Sequence, residues 1–259
     1  VYPHQLKPAE KKQELCFAAA GLCGVTLYYL MENMALTYTL ASNVGVIISI
    51  APFFTAIFSF FLRKEDKPGK RFFLGFVMAM AGICLISGSS GAALSLNPLG
   101  DILAIGAAII WAVYSLLTRK IGDFGYHVVQ ATRRTFFYGL IFVLPVLFLM
   151  DFHVEVAQLI PLSNLGNLLF LGLGASALCF VTWNFAVKAL GAVKTSVYIY
   201  LVPVITVAAS VLILREPFTW MTGAGTVLTL IGLLLSEGKL HWKEGTHHET
   251  GTGQMRPGD

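Results

Sequence analysis

Glu32 is a carboxylate set in a stretch that is otherwise apolar, YYLMENMALTYTL. Tyr29 precedes it by three residues and Asn33 follows directly, so the three share one face of a helix. Apart from Asp101, near the start of a later apolar stretch, no other acidic residue lies well inside one. A charge of this kind at the centre of a membrane helix costs about 2.5–3.5 kcal/mol to insert, and less near an end. Such a residue is commonly functional. Two kinds of chemistry suit it, proton uptake and release or the binding of a substrate in a cavity. A carboxylate that reaches the outer surface, or bonds to a neighbouring helix, is the competing reading. The same spacing recurs at Phe180, Trp183 and Asn184.

Further candidates are aromatic or conformational. Trp111 and Tyr114 lie among the small residues Ala104, Ala107, Ala108 and Ser115, a composition that lets helices approach and leaves rings to fill or gate a cavity. Tyr198 and Tyr200 are about 200° apart on a helix, so both cannot face one cavity. Tyr198 lies one turn after Lys194 and also suits an interfacial belt. Pro52 and Pro203 fall inside apolar stretches, where proline removes a backbone hydrogen bond and produces a kink or hinge. The four cysteines show no CxxC pair or Cys/His spacing and read as small core residues. All six histidines lie in polar loops or tails, and neither HExxH nor GxSxG occurs. An enzyme is not expected, nor a metal, a cofactor or an ATP-binding P-loop.

The elements that position these residues are duplicated. Residues 21–52 lie over 172–203 without a gap at an offset of 151, matching Gly21 with Gly172, Asn33 with Asn184, Ala35 with Ala186 and Pro52 with Pro203. The offset also pairs Glu65 with Glu216. One residue less pairs Gly75 with Gly225 and Gly82 with Gly232. Recurrence favours an architectural role for the Asn and Pro pairs. Glu32 falls opposite Trp183 and has no acidic twin.

Hydrophobic residues make up 56% of the 259 and charged residues 12%, against about 25% charged in a soluble domain. The bilayer is the solvent that suits this balance. Eight segments near 15–37, 41–62, 72–90, 99–118, 134–150, 165–187, 192–214 and 219–236 are long enough to cross it. The expected fold is an all-α membrane protein of eight transmembrane helices. Alternating the loops places 17 of the 18 Lys and Arg on one side, with Arg215 alone on the other. The positive-inside rule makes the basic side cytoplasmic, with both termini there. The basic residues occupy short loops, which argues against nucleic acid as a partner. The matched segments then run in opposite directions, an inverted repeat, whose interface is where secondary transporters place their binding site.

The halves are unequal. Residues 1–92 hold three helices and 93–238 hold five, followed by a polar tail, 239–259, expected to be disordered and cytoplasmic. With no initiator Met before Val1, a chain shortened by two N-terminal helices from a five-plus-five plan is the leading expectation. A natural eight-helix protein is the alternative.

The segments ENMALTYTLASNVGVIISIAPFFTAIFSFFLRKED, GFVMAMAGICLI, AIGAAIIWAVYSLLTRK, NFAVKALGAVKTSVYIYLVPVITVAASVLILREP and GAGTVLTLIGLLL, in this order, resemble the EamA-type drug/metabolite transporter superfamily. The resemblance implies ten helices in two inverted five-helix repeats around a central cavity, and cargo ranging from amino acids to sugars and nucleotide sugars. No basic residue lies mid-span, which disfavours phosphorylated cargo. The expected function is alternating-access transport, by export, of small neutral or zwitterionic metabolites such as amino acids across the cell membrane, with possible proton coupling. The alternatives are a carrier of sugars or nucleotide sugars and a non-transporting membrane protein. Oligomeric state is left open.

Overall fold

The computed structural model describes residues 10–63, 68–89, 97–150, 161–213 and 218–237. The segment before residue 10, the tail 239–259, Glu65, Arg215 and Glu216 lie outside the described residues. Among the described residues, eight helices are long and apolar enough to cross a membrane: α1 Lys11–Tyr38, α2 Asn43–Leu62, α3 Lys70–Gly88, α4 Pro98–Gly122, α5 Val128–Leu149, α6 Leu162–Leu190, α7 Ala192–Ala209 and α8 Trp220–Glu237. They fall on the eight expected segments. No strand occurs among the described residues.

Local sequence sets several of the boundaries. Asn97 caps α4, its Oδ1 accepting from the backbone N–H of Leu99 and Gly100 at 3.2 and 3.3 Å, and Pro98 occupies the first turn where no N–H is needed. Both repeat copies depart from α-helical geometry at equivalent places. α1 widens to a π-helical turn at Leu22–Leu27, and α6 does so at Phe170–Leu178. α2 breaks at Ser49 and Ile50, just before Pro52, and α7 tightens to a 3-10 turn at Tyr198–Tyr200, just before Pro203. Proline cannot donate to the preceding turn, so the chain is bonded there in tighter i→i+3 steps, as from Ile50 N–H to Ile47 O at 3.0 Å.

Helix packing gives the repeat its hand. α3 and α8 cross through their paired glycines. A methyl group at Gly82 would collide with the Gly225 carbonyl and Thr229, and one at Gly75 with the Gly232 carbonyl and Ser236. The contacts Gly75 to Gly232 and Gly82 to Gly225 run in opposite senses along the two helices, so repeat-equivalent helices are antiparallel and the copies are inverted. α4 passes antiparallel to α1, with the Tyr114 ring lying where a side chain at Gly24 would sit. α5 lies along α1, joined by Thr26 Oγ1 to the Gly139 carbonyl at 3.0 Å. α4 and α5 thus cover α1, whereas residues 162–173 of its counterpart α6 are exposed.

Side-chain bonds tie the helices together at the end carrying most of the Lys and Arg. Glu14 on α1 forms an ion pair with Arg134 and accepts from Tyr138 at 2.8 Å, both on α5. Arg119 on α4 donates to the Val187 and Lys188 carbonyls at 3.3 and 2.7 Å, a cation at the C-terminus of α6. Lys188 donates to the Tyr126 carbonyl at 3.0 Å. Deeper in, Asn184 accepts from Tyr114 at 2.7 Å and donates to Thr132 at 2.8 Å, linking α4, α5 and α6 in a buried chain.

The cysteines correct one expectation. Cys16 is buried, but Cys84 and Cys179 are exposed on helix surfaces. An apolar solvent removes the penalty that drives a thiol into a core.

Gly82→Leu, which must displace the backbone of α8, lowers stability in detergent by about 1–3 kcal/mol. Gly166→Ala, with nothing within 4 Å, leaves it unchanged. Thermal unfolding followed by size exclusion reads both. In the same assay Asn184→Leu, which removes two interhelical bonds, lowers stability more than Tyr114→Phe, which removes one worth about 0.6 kcal/mol.

Candidate functional site

A cavity of about 1060 Å³ lies between the two halves. Tyr28, Glu32 and Leu36 of α1 form one wall, and Ile199, Val202, Pro203, Thr206 and Val207 of α7 another. The segment from Ala41 to Ser49, leading into and through the first half of α2, closes a third side, and Ile83, Ile86 and Ser87 of α3 a fourth. Trp111 of α4 and Trp183 of α6 lie at its inner end. The lining reaches Ala41, Ser87, Val211 and Thr219, all at the ends of helices remote from the Arg119–Lys188 and Glu14–Arg134 ties. Among the described residues the lining therefore reaches the end poor in Lys and Arg and does not reach the basic end.

Repeat-equivalent positions meet here. Glu32 and its counterpart Trp183 both line the cavity, as do Ile48 and its counterpart Ile199. The pseudo-two-fold axis that relates the α3–α8 contacts thus passes through the cavity. The wall is symmetric in placement and asymmetric in chemistry: a carboxylate on one side faces an indole on the other.

Glu32 is half-buried and accepts a hydrogen bond from Tyr28, one turn before it on the same helix, at 3.0 Å. The Tyr28 ring lies 4.7 Å from Trp111, and Trp111 lies 5.1 Å from Trp183. Three rings thus extend from the carboxylate across the inner end of the cavity. Among the described lining residues Glu32 is the one carboxylate, and none is Lys or Arg. Ser49 and Thr206 donate their hydroxyl hydrogens to their own helices, to the carbonyls of Gly45 and Val202 at 2.7 and 2.9 Å, so they offer the cavity acceptors.

Of the residues singled out from the sequence, Glu32, Trp111, Trp183 and Pro203 line this cavity. The others do not. Tyr29 turns toward α6, its hydroxyl 3.3 Å from Ser176 Oγ and its ring 6.1 Å from Phe180. Asn33 is exposed and donates to the Tyr29 carbonyl of its own helix at 2.7 Å. Tyr29, Glu32 and Asn33 do share a flank of α1, but the cavity follows the 28–32–36 line beside it. Tyr114 and Asn184 are buried in the hydrogen-bonded chain one turn nearer the basic end. Phe180 is buried among aromatic rings, 4.9 Å from Phe136. Tyr198 donates to Glu237 at 2.7 Å beside Lys194, at the tied end. Pro52 is buried in the packing of its own helix, away from the lining. Asn33 and Asn184 are identical in sequence yet differ in setting: Asn184 is enclosed between α4 and α5, whereas Asn33 lies on an exposed flank of α1.

Sequence reasoning missed Tyr28 and the aliphatic lining from α2, α3 and α7. For Tyr28 the signal was its i−4 spacing to Glu32. The Val and Ile of α7 carry no signal, since lipid-facing and cavity-facing aliphatics look alike.

The chain's likeness to known proteins agrees with this arrangement. Residues 2–88 and 98–237 match the EamA-like transporter family. An uncharacterized transporter of Archaeoglobus fulgidus is 30% identical over 229 residues, covering 88% of this chain and 77% of that protein. A "probable terminal-alkyne amino-acid exporter" of Streptantibioticus cattleyicolor is 25% identical over 215 residues, covering 83% of this chain and 68% of that one. A solved crystal structure superimposes with a TM-score of 0.69 at 19% identity, over 86% of this chain and 85% of the other, and shares the fold. By the extent of the family match, the chain is a multi-pass membrane protein that belongs to the EamA-like transporter family.

Proposed function

We propose that this transporter moves small organic metabolites, amino acids and similar neutral or zwitterionic compounds, outward across the cell membrane by alternating access. The observation that carries this reading is the cavity itself, lined by equivalent residues of both inverted copies and reaching, among the described residues, the helix ends poor in Lys and Arg. Rocking of one copy against the other about the α3–α8 crossing exchanges the open end for the tied one. The paired breaks before Pro52 and Pro203 give α2 and α7 a place to bend. The charge distribution supports termini on the cytoplasmic side and hence a cavity that opens outward in this structure. The absence of Lys and Arg from the described lining disfavours phosphorylated cargo.

Glu32 is the group we assign to proton coupling. Tyr28 and Glu32 are the titratable residues of the described lining, and Tyr28 hydrogen-bonds the carboxylate. In export driven by proton entry, Glu32 takes up a proton from the outer side as cargo leaves, and releases it inside as new cargo binds.

The purified chain, reconstituted in proteoliposomes preloaded with a panel of radiolabelled amino acids and their decarboxylated amines, is expected to give saturable efflux that speeds up when the outside is made acidic. Glu32→Gln is expected to lose the acceleration. Efflux no faster than from empty liposomes across the whole panel overturns the transport reading. Acceleration retained in Glu32→Gln overturns the coupling role.

A further inference from the structure

We infer that the chemical handle this cavity reads is an organic ammonium group, held at Glu32 among Tyr28, Trp111 and Trp183, with the apolar remainder of the molecule along the aliphatic walls. This rests on the transport reading for its biological sense but on separate observations for its chemistry. The Glu32 carboxylate has one hydrogen-bond partner, Tyr28, and no ion pair among the described residues. A carboxylate has about four acceptor positions, so most of its capacity faces the cavity unused. A partly desolvated carboxylate without a counter-ion is costly, and a bound cation is what offsets that cost.

The rings make the site selective for a cation of a particular kind. Tyr28, Trp111 and Trp183 form a continuous series at centroid separations of 4.7 and 5.1 Å, and all three line the cavity beside Glu32. An ammonium within about 6 Å of such a ring is attracted by its negative face, most strongly by indole. Inorganic cations favour a full shell of hard oxygen ligands, whereas aromatic faces border Glu32 on one side of this cavity. Ser49 and Thr206, with their hydrogens spent on the backbone, add acceptors and not donors. Glu32, Ser49 and Thr206 thus all present acceptors that suit a donor cation.

The rest of the lining decides what else the molecule carries. Val44, Ile48, Ile83, Ile86, Ile199 and Val207 offer apolar surface for a hydrocarbon or aromatic body. No Lys or Arg of the described lining can receive a carboxylate. A carboxylate attached beside the ammonium meets no cationic partner in the described lining and is placed near Glu32, so it weakens binding. The expected order is amphipathic amine over amino acid or neutral isostere, with the anion weakest.

Isothermal titration of the detergent-purified full chain with phenethylamine, phenylalanine, 2-phenylethanol and 3-phenylpropionate tests this order without any mutation. Phenethylamine is expected to bind about tenfold more tightly than the alcohol, and 3-phenylpropionate more weakly than either. Glu32→Gln is expected to bring phenethylamine to within about twofold of the alcohol, while unchanged binding of the alcohol reports an intact cavity. Trp111→Leu is expected to lower the amine's preference over the alcohol by about threefold. Phenethylamine binding no more tightly than the alcohol to the unmutated chain overturns the proposal, as does a preference unaffected by Glu32→Gln. A null flux in proteoliposomes with this order intact defeats the transport reading and leaves the ammonium site standing. The reverse result does the opposite.

Discussion

Close approach of α3 and α8 is the contact on which the rest depends. Between helices in an apolar solvent there is no hydrophobic drive, so association comes from tight packing and hydrogen bonds. Gly75, Gly82, Gly225 and Gly232 supply the first by bringing backbone against backbone. Because the four are related in pairs by the duplication, the crossing is symmetric under exchange of the two copies. A symmetric antiparallel crossing forces the remaining helices into two inverted sets, and the space left between the sets is the cavity.

The two ends of that space are treated differently. At the basic end, Glu14 with Arg134 and Arg119 with the last carbonyls of α6 bind helices side by side, above the buried Tyr114–Asn184–Thr132 chain. At the other end the cavity lining reaches the helix ends. Each copy carries its own irregularities at matching depth, a π-helical turn in α1 and α6 and a proline-linked break in α2 and α7. Backbone departures of this kind persist in a membrane only where protein or a cavity satisfies the loosened groups. Their recurrence across the duplication marks them as architecture and not as local accidents.

Chemistry enters through broken symmetry. Where the copies agree, as at Ile48 and Ile199, the cavity has matching walls. Where they differ, at Glu32 and Trp183, it acquires a polar and an aromatic side. Glu32 stands six residues from the end of α1, about 9 Å along the helix axis. At that depth a carboxylate is reached by water through the open end and still bordered by rings. Two opposed carboxylates would repel and two opposed indoles would leave no charge, so the mismatch itself creates a site with direction.

Much of this was legible in the chain alone. Eight spans, their alternation and the inverted duplication follow from apolar length, the placement of 17 of 18 basic residues and a self-match at one offset, because the bilayer imposes those regularities on any sequence that crosses it. Glu32 stood out for the same reason, as a charge where charges are expensive. Which flank of a helix faces the cavity was decided only in the folded molecule. Tyr29, Asn33 and Phe180 belong to helix packing, Tyr28 and the aliphatic wall of α7 to the cavity, and Asn33 and Asn184 fell into unlike settings despite their identity. The physical reason is that lipid, cavity and neighbouring helix all accept apolar side chains. Hydrophobic pattern therefore sets where a membrane helix lies along the normal, and only packing against its neighbours sets how it is turned.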